Sequence, residues 1–117
     1  MHWQPLKTIS DYDKLMSSSF EEDFFCVAIF KHSTRCAISK MAQLRLVSSW
    51  DFPENKLPIY YLDLLAFREL SDKIATDFSV EHQSPQLLLI KNGKCIFHTS
   101  HTGVSVNSVK KALELKA

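Results

Sequence analysis

Residues 24–31 are apolar on both alternating sets, with Phe24-Phe25-Cys26-Val27-Ala28-Ile29-Phe30 running up to Lys31. A strand covered on one face alternates apolar and polar residues, whereas one covered on both faces does not, so this run predicts a central, buried strand. Upstream, Ile9, Tyr12, Leu15 and Met16 stand at helical spacing. Ser10-Asp11-Tyr12-Asp13 resembles a capped start, and the serines at 17–19 stop the helix. Downstream, Ile38, Met41, Ala42, Arg45, Leu46 and Ser49 fit a helix from Cys36 to about Trp50 whose apolar side packs on that strand. Asp51-Phe52-Pro53-Glu54-Asn55 then breaks it.

Leu57-Pro58-Ile59-Tyr60-Tyr61-Leu62-Asp63 reads as a second strand, with Pro58 at its beginning where no ladder donor is needed. The cleanest helical pattern follows: Phe67, Leu70, Ile74 and Phe78 face inward while Arg68, Glu69, Asp72, Lys73 and Asp77 are left for water. After a loop at 79–85, Gln86-Leu87-Leu88-Leu89-Ile90-Lys91 predicts a third strand. Asn92-Gly93 is a two-residue hairpin signal, because both positions accept positive φ. It leads into an antiparallel fourth strand, Lys94-Cys95-Ile96-Phe97-His98-Thr99. Val106, Val109, Ala112 and Leu113 close the chain with an amphipathic helix. The order αβαβαββα joins a parallel βαβ unit to a ββα unit, which is the order of a thioredoxin-like α/β domain with a central four-stranded mixed sheet flanked by helices.

A length of 117 residues with 45% hydrophobic content suits one such domain, spanning 1–117. Fourteen Lys and Arg nearly cancel thirteen Asp and Glu, and no basic stripe stands out, which argues against nucleic acid or an anionic membrane as partner. No apolar stretch is long enough to span a bilayer, and Met1-His2-Trp3-Gln4-Pro5 lacks the pattern of a secretory signal, so a cytoplasmic protein is expected. Three cysteines cannot form a fully paired framework, and their spacing matches no zinc motif.

The chemistry centres on Cys36. It lies between the buried strand and the helix that follows, so free backbone N–H groups at the helix start, with Arg35 beside it, should favour its thiolate. Thr34, Arg35 and Ser39 are the candidate thiolate-stabilising residues. The motif Cys36-Ala37-Ile38-Ser39 is CxxS, not CxxC: with Ser39 in the resolving position, Cys36 can attack a disulfide and hold a mixed disulfide but cannot expel its partner with a second thiol at that site. A monothiol cycle follows, finished by an external thiol. Ser84-Pro85, just before the third strand, stands where this architecture places a cis-proline loop facing the reactive thiol and presenting backbone to an extended substrate.

Blander readings stand beside these. Cys36 could be a small buried hydrophobe, Arg35 a solvated charge, and Ser33 and Thr34 turn and cap residues. His32 could serve as a base, although a low-pKa cysteine needs none. Cys26, mid-strand, reads as core, and Cys95 as structural or as a distant resolving thiol. His98 and His101 match no common zinc motif, and Phe67, Phe78, Tyr60 and Phe97 read as core.

Three strings, Phe30-Lys31-His32-Ser33-Thr34-Arg35-Cys36-Ala37-Ile38-Ser39, Val80-Glu81-His82-Gln83-Ser84-Pro85-Gln86 and Ser100-His101, resemble the YtxJ family of bacillithiol-system monothiol bacilliredoxins, over nearly the whole chain. The resemblance implies a small cytoplasmic protein with Cys36 as nucleophile and Ser84, Pro85 and Gln86 as the opposing substrate loop. Its partners would be S-thiolated client proteins and a low-molecular-weight thiol, bacillithiol, acting as co-substrate with no bound cofactor. Ala37 departs from thioredoxin-like motifs, which often have proline there. Two other classes stay open: a non-catalytic thioredoxin-like binding module, and a CxxS iron–sulfur carrier resembling monothiol glutaredoxins. The latter is disfavoured because the usual glutathione-binding glycine pair is missing, the only glycines being Gly93 and Gly103.

Overall fold

The all-apolar run forms strand β2 (Val27–His32), buried at every position. The computed structural model describes residues 1–116; Ala117 lies outside the described residues. β2 pairs in parallel with β3 (Ile59–Asp63) and antiparallel with β4 (Gln86–Lys91), which continues through the hairpin into β5 (Lys94–Ser100). Phe24, Phe25 and Cys26, expected in the strand, precede it, and the Phe25 N–H bonds instead to the Lys56 carbonyl at 2.7 Å.

The sheet has five strands, not four. β1 (Trp3–Pro5) lies parallel to β3 at its outer edge, with Trp3 opposite Ile59 and Pro5 opposite Tyr61, giving the order β1-β3-β2-β4-β5. Three residues ending in proline carry no alternation, and only an edge, where a missing donor faces away from the ladder, accepts them.

Two helices cover each face. α1 (Ile9–Ser18) and α3 (Arg68–Phe78) bury Tyr12, Leu15, Leu70, Ile74 and Phe78 against Val27, Ile29, Leu88 and Ile90. α2 (Ala37–Ser49) and α4 (Val106–Lys116) bury Ala42, Leu46, Val106, Val109 and Ala112 against Ala28, Phe30, Leu87 and Leu89. The cap of α1 lies two residues before the expected Ser10. Thr8 is the N-cap, its Oγ1 accepting the Asp11 N–H at 3.1 Å while Asp11 Oδ2 accepts the Thr8 N–H at 3.2 Å, a capping box with aspartate as the reciprocal partner.

α2 buries only part of the side expected, Ala42 and Leu46 but not Ile38 and Met41. Ser39, Ala42 and Leu46 face the sheet, whereas Ile38 and Met41 are 61% and 57% exposed, with Leu44 and Val47 also outward. Apolar residues surround this helix, so periodicity could not choose its inner face; small Ser39 and Ala42 let it approach β2 closely. The hairpin forms as predicted, with φ of 53° at Asn92 and 75° at Gly93. Ser19 ties it to the end of α1, its carbonyl accepting the Asn92 N–H and its Oγ accepting the Gly93 N–H.

Candidate functional site

Two central strands deliver the candidate residues to one end of the sheet. Lys31 of β2 lies opposite Gln86 of β4, so the segment leaving β2 toward Cys36 and the Ser84-Pro85 segment entering β4 emerge side by side. β5 ends there too, with Ser100 opposite Gln86.

After His32 the chain turns, and the Cys36 N–H bonds to the Ser33 carbonyl at 3.1 Å. Cys36 is the N-cap of α2, with φ −104° and ψ 121°; its carbonyl accepts the Lys40 N–H, and its side chain makes no capping hydrogen bond. The thiol is half-buried, while Thr34 and Arg35, on the turn, are exposed. Neither Thr34 nor Ser33 is the cap. Ser39, at the third position of the helix, is fully buried. Its Oγ accepts the Ser33 N–H at 3.1 Å and lies 2.6 Å from His32 Nδ1. His32 is buried between Phe30, on which it stacks, and Tyr61, and burial pulls its pKa below the usual histidine value.

Opposite, the Ser84–Pro85 peptide bond is cis. Pro85 is buried and its carbonyl accepts the His101 N–H at 3.0 Å. Gln86 donates from Nε2 to the Glu81 carbonyl at 2.9 Å, whereas its Oε1 and the Ser84 Oγ are buried without a protein partner. His101 holds a left-handed φ of 54° and opens the 3-10 turn His101–Gly103. Arg45, from α2, donates from Nη2 to the His101 carbonyl at 3.1 Å and to the Val104 carbonyl at 3.3 Å. The sequence reading did not find this brace, because Arg45 and His101 are 56 residues apart and only the packing of α2 beside the turn joins them.

The other cysteines lie elsewhere. Cys26 is fully buried, and burial pushes its thiol up to about 12. Cys95 donates to the Phe97 carbonyl at 3.3 Å on the α1 side of the sheet, and burial raises it as well. Among the described residues, no group of three or more His, Cys, Asp or Glu side chains could hold a metal ion. None of the helices described is long and apolar enough to cross a membrane.

Residues 4–109 match the family described as monothiol bacilliredoxin BrxC. The chain belongs to that family. Solved structures share the fold. A chain described as a candidate oxidoreductase with a thioredoxin fold is 28% identical, with a TM-score of 0.74 and coverage of 92% of this chain and 90% of that one. Thioredoxin from Trypanosoma brucei brucei gives a TM-score of 0.74 at 15% identity, covering 99% of this chain and 93% of that one. Thioredoxin from Malassezia sympodialis gives 0.72 at 16%, covering 97% and 90%. At those two identities the likeness shows the fold alone. Bacilliredoxin membership and the thioredoxin fold together assign the chain a thiol–disulfide redox role.

Proposed function

We propose that this bacilliredoxin removes a low-molecular-weight thiol, bacillithiol, from mixed disulfides on cytoplasmic client proteins, with Cys36 as the nucleophile. The Cys36 thiolate attacks the small thiol's sulfur, forming a Cys36 mixed disulfide and releasing the client thiolate. A second small thiol then attacks that adduct, leaving as the symmetric disulfide and returning Cys36 as thiolate, so electrons and sulfurs balance with no resolving cysteine.

The observation that carries this reading is the placement of the three cysteines. Cys36 heads α2 at the open end of the sheet, Cys26 is in the core, and Cys95 is packed among the α1-side residues, on the sheet face opposite α2. The position that would hold a resolving thiol is the buried Ser39. Client contact is supported by the outward Ile38, Met41, Leu44 and Val47 on the helix that carries Cys36, since exposed apolar strips of this kind suit protein–protein contact. Ser84, Pro85 and Gln86 are the substrate loop in this reading, entering β4 beside the segment that leads to Cys36.

The test is transfer from a bacillithiolated model protein, read by intact mass. Wild-type protein should gain one bacillithiol at Cys36 as the model protein regains its free thiol, and Cys36→Ser should take up none. Absence of an adduct on Cys36 would overturn the reading, and uptake from a coenzyme A or cysteine mixed disulfide in place of the bacillithiol one would overturn the choice of thiol.

A further inference from the structure

Beyond the cis-proline loop lies a cleft of about 350 Å3 with an entirely polar lining: Glu81, Gln83, Gln86, His98, Ser100 and His101. Strand register places three of these residues. Gln86 and Ser100 are opposite each other on β4 and β5, and Lys31 is opposite Gln86 on β2, so Lys31, Gln86 and Ser100 form one row across successive strands. His98, two residues before Ser100, stands on the same face of β5. Glu81 and Gln83 come from the loop that runs into the cis Ser84–Pro85 bond, and His101 from the turn whose first N–H bonds to the Pro85 carbonyl. His101 Nε2 and Gln83 Oε1, 3.4 Å apart, bring loop and turn together.

Gln86 brings an unused acceptor to this lining. The residue is 1% exposed, its Nε2 donates to the Glu81 carbonyl, and its Oε1 has no donor in the protein. An amide oxygen held from water without a donor is costly, and a ligand group that donates to it removes the cost. Charge narrows the class of ligand. Among the described residues no Lys or Arg lines the cleft, Glu81 contributes a carboxylate, and Lys31, beside Gln86 in the sheet, spends its ammonium on the Ser71 carbonyl. Phosphates and carboxylates thus find no counter-charge, and the lining matches an uncharged group rich in hydroxyls. The volume is at the low end of the roughly 300–1,000 Å3 of ligand pockets, which suits a single sugar ring.

We propose that this cleft takes the sugar of the small thiol while the thiol's sulfur is bonded to Cys36, with Gln86 Oε1 and the Glu81 carboxylate accepting from the sugar hydroxyls. The assignment rests on the exchange reading above and divides recognition in two: the client meets the outward strip of α2, and the polyhydroxylated end of the small thiol meets the β4–β5 side of the cis-proline loop. Neighbouring strands are about 4.8 Å apart, so the row from Lys31 to Ser100 extends about 10 Å from the outlet of β2. A cysteine joined to an amino sugar, as in bacillithiol, has that reach, and cysteine alone does not.

The test uses one model protein carrying either bacillithiol or cysteine on the same thiol, and reads the ratio of the two release rates. Wild-type protein should favour bacillithiol. Ser100→Phe, which fills the cleft, and Gln83→Ala with His98→Ala, which strips two of its walls, should each cut the ratio about tenfold, the worth of one or two hydrogen bonds. Both rates come from one protein sample, so a partly unfolded variant lowers them together and leaves the ratio readable. Arg68→Ala, in the cationic cleft that Lys7, Arg68 and Lys73 line between the starts of α1 and α3, should leave the ratio unmoved. A ratio that falls in Arg68→Ala and holds in Ser100→Phe would overturn the proposal, because recognition would then lie with the thiol's acid groups. Bacillithiol release by wild type with an unmoved ratio in both cleft variants overturns the cleft and leaves the exchange reading standing. Absence of release by wild type overturns the exchange reading, and titration of Cys36→Ser with thiol-free glucosaminyl malate then decides the cleft: amide shifts at Gln83, Gln86, Ser100 and His101 support it, and their absence sinks it.

Discussion

The ammonium of Lys31, with no exposed surface, donates to the backbone carbonyl of Ser71 at 3.1 Å. A cation shielded from water by the sheet on one side and α3 on the other is costly to keep charged, and burial pulls its pKa down to about 8 despite nearby Asp72. The folded value lies below the ordinary 10.5, so the unfolded chain holds more protons between those two values and stability climbs as pH rises through that window. The climb should be on the order of 3 kcal/mol. Lys31→Met should remove this slope and raise stability at pH 7 by about 1–3 kcal/mol. Urea unfolding of wild type and Lys31→Met at a series of pH values checks both, and a stability difference between the two that stays constant from pH 8 to 10.5 would refute the assignment, since the buried Cys26 and Cys95 thiols, whose raised pKa values oppose the rise, are common to both proteins.

Gly103 faces Thr99 so closely that an added Cβ would collide with the Thr99 Oγ1. Rotating the threonine gives limited relief, since branching at Cβ leaves one rotamer of three that turns neither the hydroxyl nor the methyl group toward Gly103. Gly103→Ala should cost about 1–3 kcal/mol, and adding Thr99→Ala should return most of it. Thermal unfolding of the single and double variants measures the recovery. No recovery would place the cost in the backbone of the turn.

The Arg45 guanidinium braces the 3-10 turn whose first N–H is bonded to the Pro85 carbonyl. Arg45→Met keeps the aliphatic stem and removes both donors. Amide exchange at His101 should quicken, with a loss of about 1 kcal/mol in stability. An unchanged His101 amide would show that the turn is held by its own backbone.

The three thiols should separate under native conditions. Maleimide applied to the folded protein at neutral pH is expected to label Cys36 first, with Cys95 slower because its half-buried thiol is disfavoured as thiolate, and Cys26 only after denaturation because it is fully buried as well. Peptide mapping after timed quenching distinguishes them, and early labelling of Cys95 would reopen it as a partner of Cys36.

What could be read from sequence was what is local in the chain. The β2 run, the α3 pattern and the Asn92-Gly93 turn each carry their own period or turn chemistry, and the structure has all three, β2 beginning three residues later than expected. Cys36 at the head of a helix followed from the change of pattern around it. Edge strand β1 was missed because three residues are too few to show a period. The inward face of α2 was read too broadly because both of its faces are apolar: of the expected residues Ala42 and Leu46 pack with Phe30 and Leu87, whereas Ile38 and Met41 stay outward.

The sequence by itself determined a thioredoxin-like order of elements and one cysteine without a resolving partner at the fourth motif position. Tertiary structure alone decided what surrounds them. It carried His32 back against Ser39, set Ser84-Pro85 beside the outlet of β2, and laid Arg45 over His101. Each of these joins residues separated by a turn or by much of the chain, and hydrogen bonds between such groups are set by how strands register and helices pack, which local periodicity does not encode.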